Sequence, residues 1–593
     1  MTGQWTSLPA MFFEQAEANA KKPLTYTKTD GKWVSRSWGD VADQVLRLAA
    51  ALRTLGVQNG DRVVLVSENR PEWLVADLAI MTAGAITVPS YTTYTARDYL
   101  HILENSGARV GIVSSRQLAR TFLKAAHQSD EMGDVVVMEE MKLEQEVNAR
   151  LHDWSTIIGS ATPDKAALKD YTASLGRDDI ACLIYTSGTG GAPKGVMLHH
   201  GSILHNCEGA REVIRPLGIK NNVFLSFLPL SHAYEHSAGQ FLPLSIGAEI
   251  WYAEGLDRLA TNMAEARPTI MVVVPRLFEM LRTRLMRQIR KEGKLRQKLF
   301  DMALSLGTRR IKGEPMFLTE RFLDRLLERT VRRKVQKRFG GRLKALVSGG
   351  APLAPDVGHF FAALGLPLLQ GYGQTESGPV ASVNPPHAPK MHTVGKLLPD
   401  TELKIAEDGE ILLRGELVMK GYWRDQAATR RTLSDDGWLH TGDVGRQDRD
   451  GYLEITDRKK DIIVNDKGDN VSPQRIEGML ALEEEIAQAM IYGDAKPHLV
   501  ALVVPDTEWM TKWAREHDKP AELGQLAQDS DFHKELDKVV TGVNKSLSNT
   551  ERVRRFAIAP EPFSIENKQM TPTLKVRRHV VISVYEDILE GMY

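Results

Sequence analysis

Apolar positions in the first 350 residues alternate between helical spacing and short continuous runs. The segment "VADQVLRLAAALRTLG" (41–56) has helical spacing, "RVVLVSE" (62–68) is a compact apolar run, and "EWLVADLAIMTAGA" (72–85) is helical again. Further runs occur in "ACLIYTS" (181–187) and "LKALVSGGAP" (343–352). Alternating strands and helices predict an α/β fold with parallel sheets covered by helices. In such sheets ligands bind in the loops that follow the carboxyl ends of the strands, and the last two runs end in loops of that kind.

The pattern changes after residue 400. The segment "ELKIAEDGEILLRGELVMKGYW" (402–423) alternates apolar and polar residues around an Asp-Gly turn, which is typical of antiparallel strands. The charged segment "DRKKD" (457–461) follows, and the patterns beyond it predict a small α+β unit. We therefore expect an N-terminal domain over residues 1–456 and a C-terminal domain over residues 457–593.

One stretch, residues 281–345, is strongly basic. It holds 21 Lys and Arg against 6 Asp and Glu, and its apolar residues recur at helical intervals. We predict two basic amphipathic helices joined near "IKGEP" (311–315). They are either a solvated helix pair on the surface or a platform for anionic lipid headgroups or an anionic ligand. The sequence shows no obvious flanking aromatic anchor for a membrane.

Composition narrows the class of protein. The chain has 593 residues, 42% of them apolar and 26% charged, as in soluble globular proteins with two or more domains. The chain has 76 Lys and Arg residues and 76 Asp and Glu residues, so its net charge does not indicate any particular binding partner. We expect no nucleic-acid binding. The two cysteines, Cys182 and Cys207, form no disulfide framework and fit a reducing cytosol. Neither a signal peptide nor a transmembrane stretch is evident, so we expect a cytoplasmic protein or one peripheral to a membrane.

A glycine-rich loop carries the first chemical signal. "YTSGTGGAPKGVMLHH" (185–200) places four glycines and a lysine behind an apolar run. Glycines let backbone N–H groups approach a ligand and the lysine adds positive charge, a combination suited to oxyanions. A Walker A loop is excluded because Pro193 precedes Lys194 and Gly195 follows it.

Five further motifs follow in order along the chain. They are "SGGAPL" (348–353), "GYGQTESG" (371–378), "WLHTGD" (438–443), "DRKKDIIV" (457–464) and "TPTLKVRR" (571–578). With them the sequence resembles the adenylate-forming superfamily over nearly its whole length. Within the superfamily, the sequence is most similar to the bacterial long-chain acyl-CoA synthetases, as three segments show: "LPLSHAYEH" (228–236), "NVSPQ" (470–474) and "TPTLK". The resemblance implies a large N-terminal domain of stacked α/β subdomains with a small β-barrel-like part, and a small mobile α+β C-terminal domain.

The resemblance also implies a two-step reaction that uses ATP, coenzyme A and Mg²⁺. A fatty-acid carboxylate attacks the α-phosphate of ATP, which releases pyrophosphate and leaves an acyl-adenylate. The thiol of coenzyme A then attacks this anhydride and releases AMP. Because the first step joins a carboxylate to a triphosphate, cations and N–H donors must offset the repulsion.

The resemblance assigns most of the expected nucleotide contacts. The loop over the β- and γ-phosphates comprises Thr186, Ser187, Gly188, Thr189 and Lys194. The walls around the adenine and the α-phosphate comprise Gly349, Gly350, Ala351, Pro352, Gly371, Tyr372, Gly373, Gln374 and Thr375. Glu376 is the expected magnesium ligand, because Mg²⁺ takes hard oxygen ligands. Asp443 is expected to accept hydrogen bonds from both ribose hydroxyls, and Arg458 is expected to contact the ribose or a phosphate.

The remaining roles concern catalysis, domain rotation and the acyl chain. Lys575 is expected to bridge the carboxylate and the α-phosphate, and His232 to neighbour the carboxylate. With Thr375 and Lys194 these form the expected catalytic set. Lys460 is the expected hinge, and Gly468 is expected to lie in the loop that serves the thioester step. Tyr234 and His236, together with His232, are candidate gates to an acyl tunnel.

Alternatives remain beside the long-chain acyl-CoA synthetase. A fatty acyl-AMP ligase would stop at the adenylate and pass it to a carrier, although no insertion is evident before Asp457. A medium-chain or aryl acyl-CoA synthetase would catalyse the same reaction as the long-chain enzyme with a different acid as substrate. A non-catalytic nucleotide or acyl-binding protein is suggested by Gly190, where the family usually has threonine. A homodimer and contact with an anionic membrane through residues 281–345 are further expectations.

Overall fold

A computed structural model of the chain describes residues 5–141, 148–186, 193–466 and 469–593. Its α-helices, in chain order, are α1 Leu8–Asn19, α2 Trp38–Thr54, α3 Pro71–Thr82, α4 Ala96–Ser106, α5 Arg116–Ala126, α6 Trp154–Ser160, α7 Lys165–Ser174, α8 His200–Ile214, α9 Leu242–Ser245, α10 Leu259–Ala266, α11 Pro275–Lys291, α12 Lys294–Ile311, α13 Leu318–Leu327, α14 Arg333–Arg338, α15 Pro355–Ala363, α16 Gln426–Thr432, α17 Pro473–Leu480, α18 Thr507–Glu516, α19 Leu523–Leu526, α20 Ser530–Asn544, α21 Arg578–Val584 and α22 Glu586–Glu590.

The strands of the described residues belong to five sheets. In chain order they are β1 Pro23–Thr29, β2 Lys32–Ser37, β3 Arg62–Val66, β4 Ile86–Ser90, β5 Val110–Val113, β6 Asp134–Val137, β7 Arg150–Asp153, β8 Ile180–Thr186, β9 Lys194–His199, β10 Val223–Ser226, β11 Glu249–Tyr252, β12 Ile270–Val273, β13 Ala345–Ser348, β14 Leu368–Tyr372, β15 Ser382–Val383, β16 Lys396–Leu397, β17 Glu402–Ile405, β18 Glu410–Arg414, β19 Leu439–Gln447, β20 Leu453–Arg458, β21 Ile463–Val464, β22 Asn470–Val471, β23 Ile486–Tyr492, β24 Leu499–Pro505 and β25 Val553–Ile558.

Local sequence explains where several helices begin. Helix α2 starts after Ser37, whose hydroxyl accepts from the backbone N–H of Asp40, while the Asp40 carboxylate accepts from the N–H of Ser37. Thr95 and Asp98 form the same reciprocal cap at α4. Such a capping box satisfies two backbone donors that the first helical turn leaves without partners.

Two large sheets make up most of the N-terminal domain. One has seven strands in the order β7-β6-β5-β3-β4-β8-β9, parallel throughout except for the antiparallel pair β8 and β9. The other has nine strands in the order β16-β15-β14-β13-β12-β10-β11-β1-β2, with parallel pairing from β14 to β1. Helix α3 is buried over its whole length, which shows how completely helices cover these sheets. The predicted α/β fold is confirmed.

The antiparallel strands predicted after residue 400 form an open four-stranded sheet. Strands β17 to β20 pair antiparallel in sequence order, and the two outer strands do not pair with each other. Strand β20 continues through the boundary we placed between residues 456 and 457 and ends at Arg458. The chain therefore leaves this sheet between Arg458 and the turn that contains Lys460.

The C-terminal part is built on the three-stranded sheet β23-β24-β25. Its apolar side chains form two cores, one on each face. One core joins the sheet to α17, α18 and α20, and the other joins it to α21, α22 and the preceding loop. Burial on both faces explains why "HLVALVVP" (498–505) is a continuous apolar run.

The basic stretch departs from the prediction of two helices. It contains α11 to α14 with a π-helical segment, Glu328–Arg332, and the first predicted helix breaks at Gly293, where φ is +102°. Arg332 is completely buried and donates to the carbonyl oxygens of Ala303 and Ala363, both at 2.7 Å. The insert is thus anchored to α12 and α15, and one of its basic residues is part of the core.

None of the helices in the described part of the chain is both long and apolar enough to span a bilayer.

Candidate active site

The loops after β13 and β14 meet at the carboxyl edge of the nine-stranded sheet. The N–H of Gly349 donates to the carbonyl of Val273 at 3.1 Å, and a Cβ at Gly349 would lie 2.8 Å from Cζ of Tyr234. The Tyr234 hydroxyl donates to the Val347 carbonyl at 2.8 Å. Glycine is therefore required at 349 because the buried Tyr234 ring packs directly beneath the loop. Tyr234 forms part of the floor of this loop.

A carboxylate on β19 joins three elements. The Tyr372 hydroxyl donates to Asp443 Oδ2 and Arg458 Nε donates to Asp443 Oδ1, each at 2.7 Å. Asp443 and Arg458 lie opposite each other in the β19–β20 register, which fixes their pairing. Asp443 is only 4% exposed, and each of its oxygens retains acceptor capacity for a ligand hydroxyl.

The same contacts shift the pKa values of Arg458 and Tyr372. Burial lowers the pKa of Arg458, but the Asp443 charge, the hydrogen bond to Asp443 and the Asp461 charge together outweigh this effect, and the net pKa is raised. Burial, followed by the nearby Asp443 charge, raises the pKa of Tyr372 well above its usual value. Arg458 is therefore a fixed cation, and Tyr372 a neutral donor, throughout the physiological range.

Glu376 lies in the short 3₁₀ helix Thr375–Ser377 and is held by a residue that the sequence analysis missed. The Tyr422 hydroxyl donates to Glu376 Oε1 at 2.8 Å, and Lys194 Nζ lies 5.1 Å from the centre of the Tyr422 ring. Glu376 Oε2 accepts from no described residue. One oriented, partly free carboxylate beside a lysine fits a magnesium ion shared with phosphate oxygens.

The glycine-rich loop begins and ends beside this group. Thr186 ends β8, Lys194 begins β9, and the two residues are paired across the strands. Ser187, Gly188 and Thr189, as well as Gly190, lie outside the described residues. Gly468 in the expected thioester loop does so as well.

Lys575 lies in a tight loop of the C-terminal domain that reaches this site. The Thr571 N–H donates to the Lys575 carbonyl at 2.8 Å, and the Lys575 N–H donates to Thr571 Oγ1 at 3.1 Å. Leu574, between them, has φ of +62°, a conformation that costs energy for a branched residue. Burial, then the Arg458 charge, lowers the pKa of Lys575 to about 8, although Asp443 acts in the opposite direction. Lys575 thus lies within electrostatic reach of the Asp443–Arg458 pair.

The Lys575 loop also closes an apolar cavity of about 110 Å³. Its walls come from both domains: Phe227, Leu228, Pro229, Leu256, Val274, Leu277, Met280, Pro572, Thr573 and Leu574. Ligand pockets usually have volumes of about 300–1,000 Å³, so this cavity alone does not accommodate a long acyl chain. The predicted acyl tunnel therefore remains a prediction.

The candidate gate residues divide between two environments. His232 Nδ1 accepts from the Tyr234 N–H at 3.2 Å, and burial together with the Lys575 charge lowers the His232 pKa to about 3. His232 is thus neutral, and its Nε2 is left as the donor. His236 instead bonds Asp77 through Nε2 at 2.8 Å, and both side chains are completely buried. His236 therefore lies in the packed core, where it is bonded to α3.

The segment around His236 is a π-helix, Glu235–Phe241, a form that often occurs at functional sites. Burial raises the pKa of Glu235 to about 8, so this carboxylic acid is mostly protonated at neutral pH. The motif analysis named neither Glu235 nor Asp77, because nothing in the sequence indicates which buried carboxylates meet a histidine.

Known protein families and curated proteins match nearly the whole chain. A family described as "AMP-binding enzyme" matches residues 12–423, and its C-terminal domain matches residues 460–593. The chain is 35% identical over 597 residues to the long-chain-fatty-acid–CoA ligase FadD15 of Mycobacterium tuberculosis, covering 100% of this chain and 98% of the relative. It is 30% identical over 593 residues to the long-chain-fatty-acid–CoA ligase 1 of Cavia porcellus, covering 95% and 83%.

Solved structures share the fold. The adenylation domain of a carboxylate reductase from Mycobacterium chelonae matches with a TM-score of 0.76 at 20% identity, covering 100% of this chain and 92% of that one. The anthranilate CoA ligase AuaEII in complex with anthranoyl-AMP matches with a TM-score of 0.74 at 20% identity, covering 99% and 98%. At this identity the likeness bears on the fold alone.

Proposed function

Because the chain belongs to the AMP-binding enzyme family, we propose that it ligates a long-chain fatty acid to coenzyme A through an acyl-adenylate. The carboxylate oxygen attacks the α-phosphorus of ATP and the bond to pyrophosphate breaks. The coenzyme A thiol then attacks the acyl carbon, and AMP leaves with that oxygen. The observation that carries the proposal is the position of the Lys575 loop, which closes a cavity against N-terminal residues and lies within electrostatic reach of the Asp443–Arg458 pair.

The nucleotide is bound by groups whose geometry is fixed before it arrives. Asp443 accepts the ribose hydroxyls, because its two oxygens are already oriented by Tyr372 and Arg458. Lys194 and Thr186 contact the phosphates at the mouth of the β8–β9 hairpin. A polar site organised in advance needs little rearrangement when charge develops, which favours the transition state.

A magnesium ion would bind at Glu376. It would draw electron density from the phosphate oxygens and help pyrophosphate leave. The protein's part is to hold Glu376 through the Tyr422 hydroxyl and to keep Lys194 over the ring of the same tyrosine. Thr375 lies at the start of the same short helix, where its hydroxyl can contact the α-phosphate.

Lys575 and His232 act on the reacting carboxylate. The ammonium of Lys575 offsets the repulsion between carboxylate and α-phosphate, an interaction of about 4 kcal/mol per charge pair at 4 Å and an effective dielectric of 20. His232 is neutral and can donate one hydrogen bond without competing for the proton. A protonated histidine would add charge next to Lys575 and lower the lysine pKa further.

The thioester step requires Lys575 to withdraw, and we assign the hinge to Lys460. It lies in the turn immediately after β20, where the chain leaves the N-terminal sheet. Contacts from α11 to the C-terminal domain hold the present arrangement. Arg287 pairs with Asp506 and, at 2.9 Å, with Glu508, and Arg290 pairs with Glu484. Rotation about the hinge would have to break these ion pairs.

A cytoplasmic location and a homodimer complete the proposal. Both cysteines are buried free thiols with raised pKa values, as expected in a reducing compartment. Sedimentation velocity at micromolar concentration tests the dimer, and a single species at the 66.1 kDa mass of the chain would contradict it.

The reaction is tested by measuring AMP and acyl-CoA formation from ATP and coenzyme A with acids from acetate to oleate. We expect acyl-CoA formation to peak with long chains. Accumulation of acyl-adenylate without thioester would favour the acyl-AMP ligase, and a peak at octanoate or benzoate would favour a medium-chain or aryl ligase. No turnover of any acid would favour a binding protein.

A further inference from the structure

Exposed apolar side chains are concentrated in the basic insert. Eleven large apolar side chains are exposed in the described chain, and six of them lie between residues 295 and 326. These are Leu295 (73% exposed), Ile311 (38%), Phe317 (77%), Leu318 (82%), Phe322 (74%) and Leu326 (49%). Soluble proteins seldom expose apolar residues in such a cluster, so this surface requires a partner.

Helix α13 arranges four of these residues as a stripe. Leu318, Phe322 and Leu326 follow one another at intervals of four, so they lie on one side of the helix, and Phe317 directly precedes it. Leu327, on another face, is buried against α12. The helix therefore packs on the protein through one face and presents a second apolar face to solvent. We call Phe317, Leu318, Phe322 and Leu326 the apolar stripe.

Unpaired arginines border the stripe. Arg321, Arg325 and Arg329 are exposed and also recur at intervals of four. None of them forms an ion pair with another described residue, whereas Arg309 and Arg310 on α12 are paired with Glu320 and Asp324. The structure thus distinguishes basic residues that stabilise the insert from a row that is free to contact a partner.

We propose that the apolar stripe and its arginine row dock the enzyme on the surface of an anionic lipid bilayer. Aromatic and leucine side chains enter the boundary between headgroups and acyl chains, while arginines beside them contact lipid phosphates. Phe317 and Phe322 supply the aromatic anchors that the sequence pattern left unrecognised. The surface lies on the domain that would receive the fatty acid, and long-chain acids partition into bilayers at about 0.8 kcal/mol per methylene.

Two other partners fit the surface less well. A symmetric dimer through the stripe would bring the arginine rows of two copies together, with repulsion between like charges. Nucleic acid would engage the arginines but would leave the four apolar side chains without a role. Charge and apolar character together favour the bilayer.

The test uses the full chain and two kinds of vesicle, phosphatidylcholine alone and phosphatidylcholine with phosphatidylglycerol. We expect cosedimentation with the anionic vesicles at low salt and a weaker association at high salt. Phe317→Ser with Phe322→Ser should reduce binding at least tenfold, as should Arg321→Glu with Arg325→Glu. The matched controls are Val34→Ser, at another exposed apolar site, and Arg430→Glu with Arg431→Glu, at another exposed basic pair; both should bind like the wild type.

Insertion is tested separately with an environment-sensitive fluorophore attached after Phe322→Cys. The two native cysteines are buried, so labelling is directed to position 322. A blue shift on anionic vesicles is expected. Absence of vesicle binding by the wild type at low salt, or unchanged binding by both stripe variants, would overturn the proposal. A stripe variant that alters sedimentation velocity but not vesicle binding would instead identify a second copy as the partner. Turnover of octanoate by each variant shows that it is folded.

Discussion

Replacing Lys575 with methionine should abolish adenylation and at the same time stabilise the protein. The pKa of Lys575 is lowered from 10.5 to about 8 because burial and Arg458 disfavour its charged form. A difference of that size corresponds to about 3 kcal/mol, and solvent screening of this partly exposed side chain reduces it to about 1–2 kcal/mol. Removing the ammonium group should therefore raise the free energy of unfolding at pH 7 by this amount.

The sign of the pH dependence follows from the same shift. The folded-state pKa lies below the unfolded value, so the destabilising contribution is complete below pH 8, falls between pH 8 and 10.5 and vanishes above. The stability difference between wild type and Lys575→Met should accordingly disappear near pH 11. The charged form of Lys575 lowers the stability of the protein, but adenylation requires it, because the ammonium form is the active one.

Pyrophosphate exchange measured from pH 6.5 to 9.5 tests this requirement. The charged fraction of Lys575 falls from about nine-tenths at pH 7 to about one-tenth at pH 9, so kcat/KM for ATP should fall about tenfold. Lys575→Arg should be less active but lack this decrease, since arginine stays charged. Urea unfolding of Lys575→Met, with the exposed Lys568→Met as control, measures the stability. A flat wild-type profile, or a loss of stability in Lys575→Met, would refute the reasoning.

Three further variants test other contacts. Asp443→Asn weakens charge-assisted hydrogen bonds worth about 1.5–3 kcal/mol, so KM for ATP should rise tenfold to a hundredfold, and an unchanged KM would argue against the ribose role. Glu376→Gln should raise the magnesium concentration needed for half-maximal rate at least tenfold; an unaltered magnesium titration would exclude it as a ligand. Arg287→Glu should slow adenylation several-fold and spare thioester formation from supplied acyl-adenylate, because it breaks the ion pairs to the C-terminal domain. Arg284 is exposed and forms no ion pair with another described residue, so Arg284→Glu should leave both half-reactions unchanged. Equal effects of Arg287→Glu and Arg284→Glu would contradict the role assigned to the Arg287 ion pairs.

The regular elements could be predicted because local patterns specify them. "RVVLVSE" forms β3 and "EWLVADLAIMTAGA" forms α3, each within a few residues of the predicted bounds. The break between α11 and α12 was missed, since apolar spacing continues across Gly293 and only its φ of +102° ends the helix. The apolar stripe was missed for a related reason: helical spacing indicates an apolar face but not whether another element covers it.

Contacts between distant residues could not be predicted from the sequence. Tyr422 and Glu376 are 46 positions apart, and their hydrogen bond depends on how the loop after β18 returns to the nine-stranded sheet. Asp77 and His236 are 159 positions apart, and their buried pair places His236 in the core. Motifs identify which residues carry chemistry, whereas packing decides which of them meet.

The most direct test of the central claim follows the oxygen atoms of the fatty acid. Oleate labelled with oxygen-18 in its carboxylate is incubated with the enzyme, ATP and coenzyme A, and AMP is analysed by mass spectrometry. Attack on the α-phosphorus predicts one labelled oxygen in each AMP formed, with the acyl group recovered as thioester. Label in inorganic phosphate or pyrophosphate, or unlabelled AMP beside labelled acyl product, would contradict an acyl-adenylate intermediate.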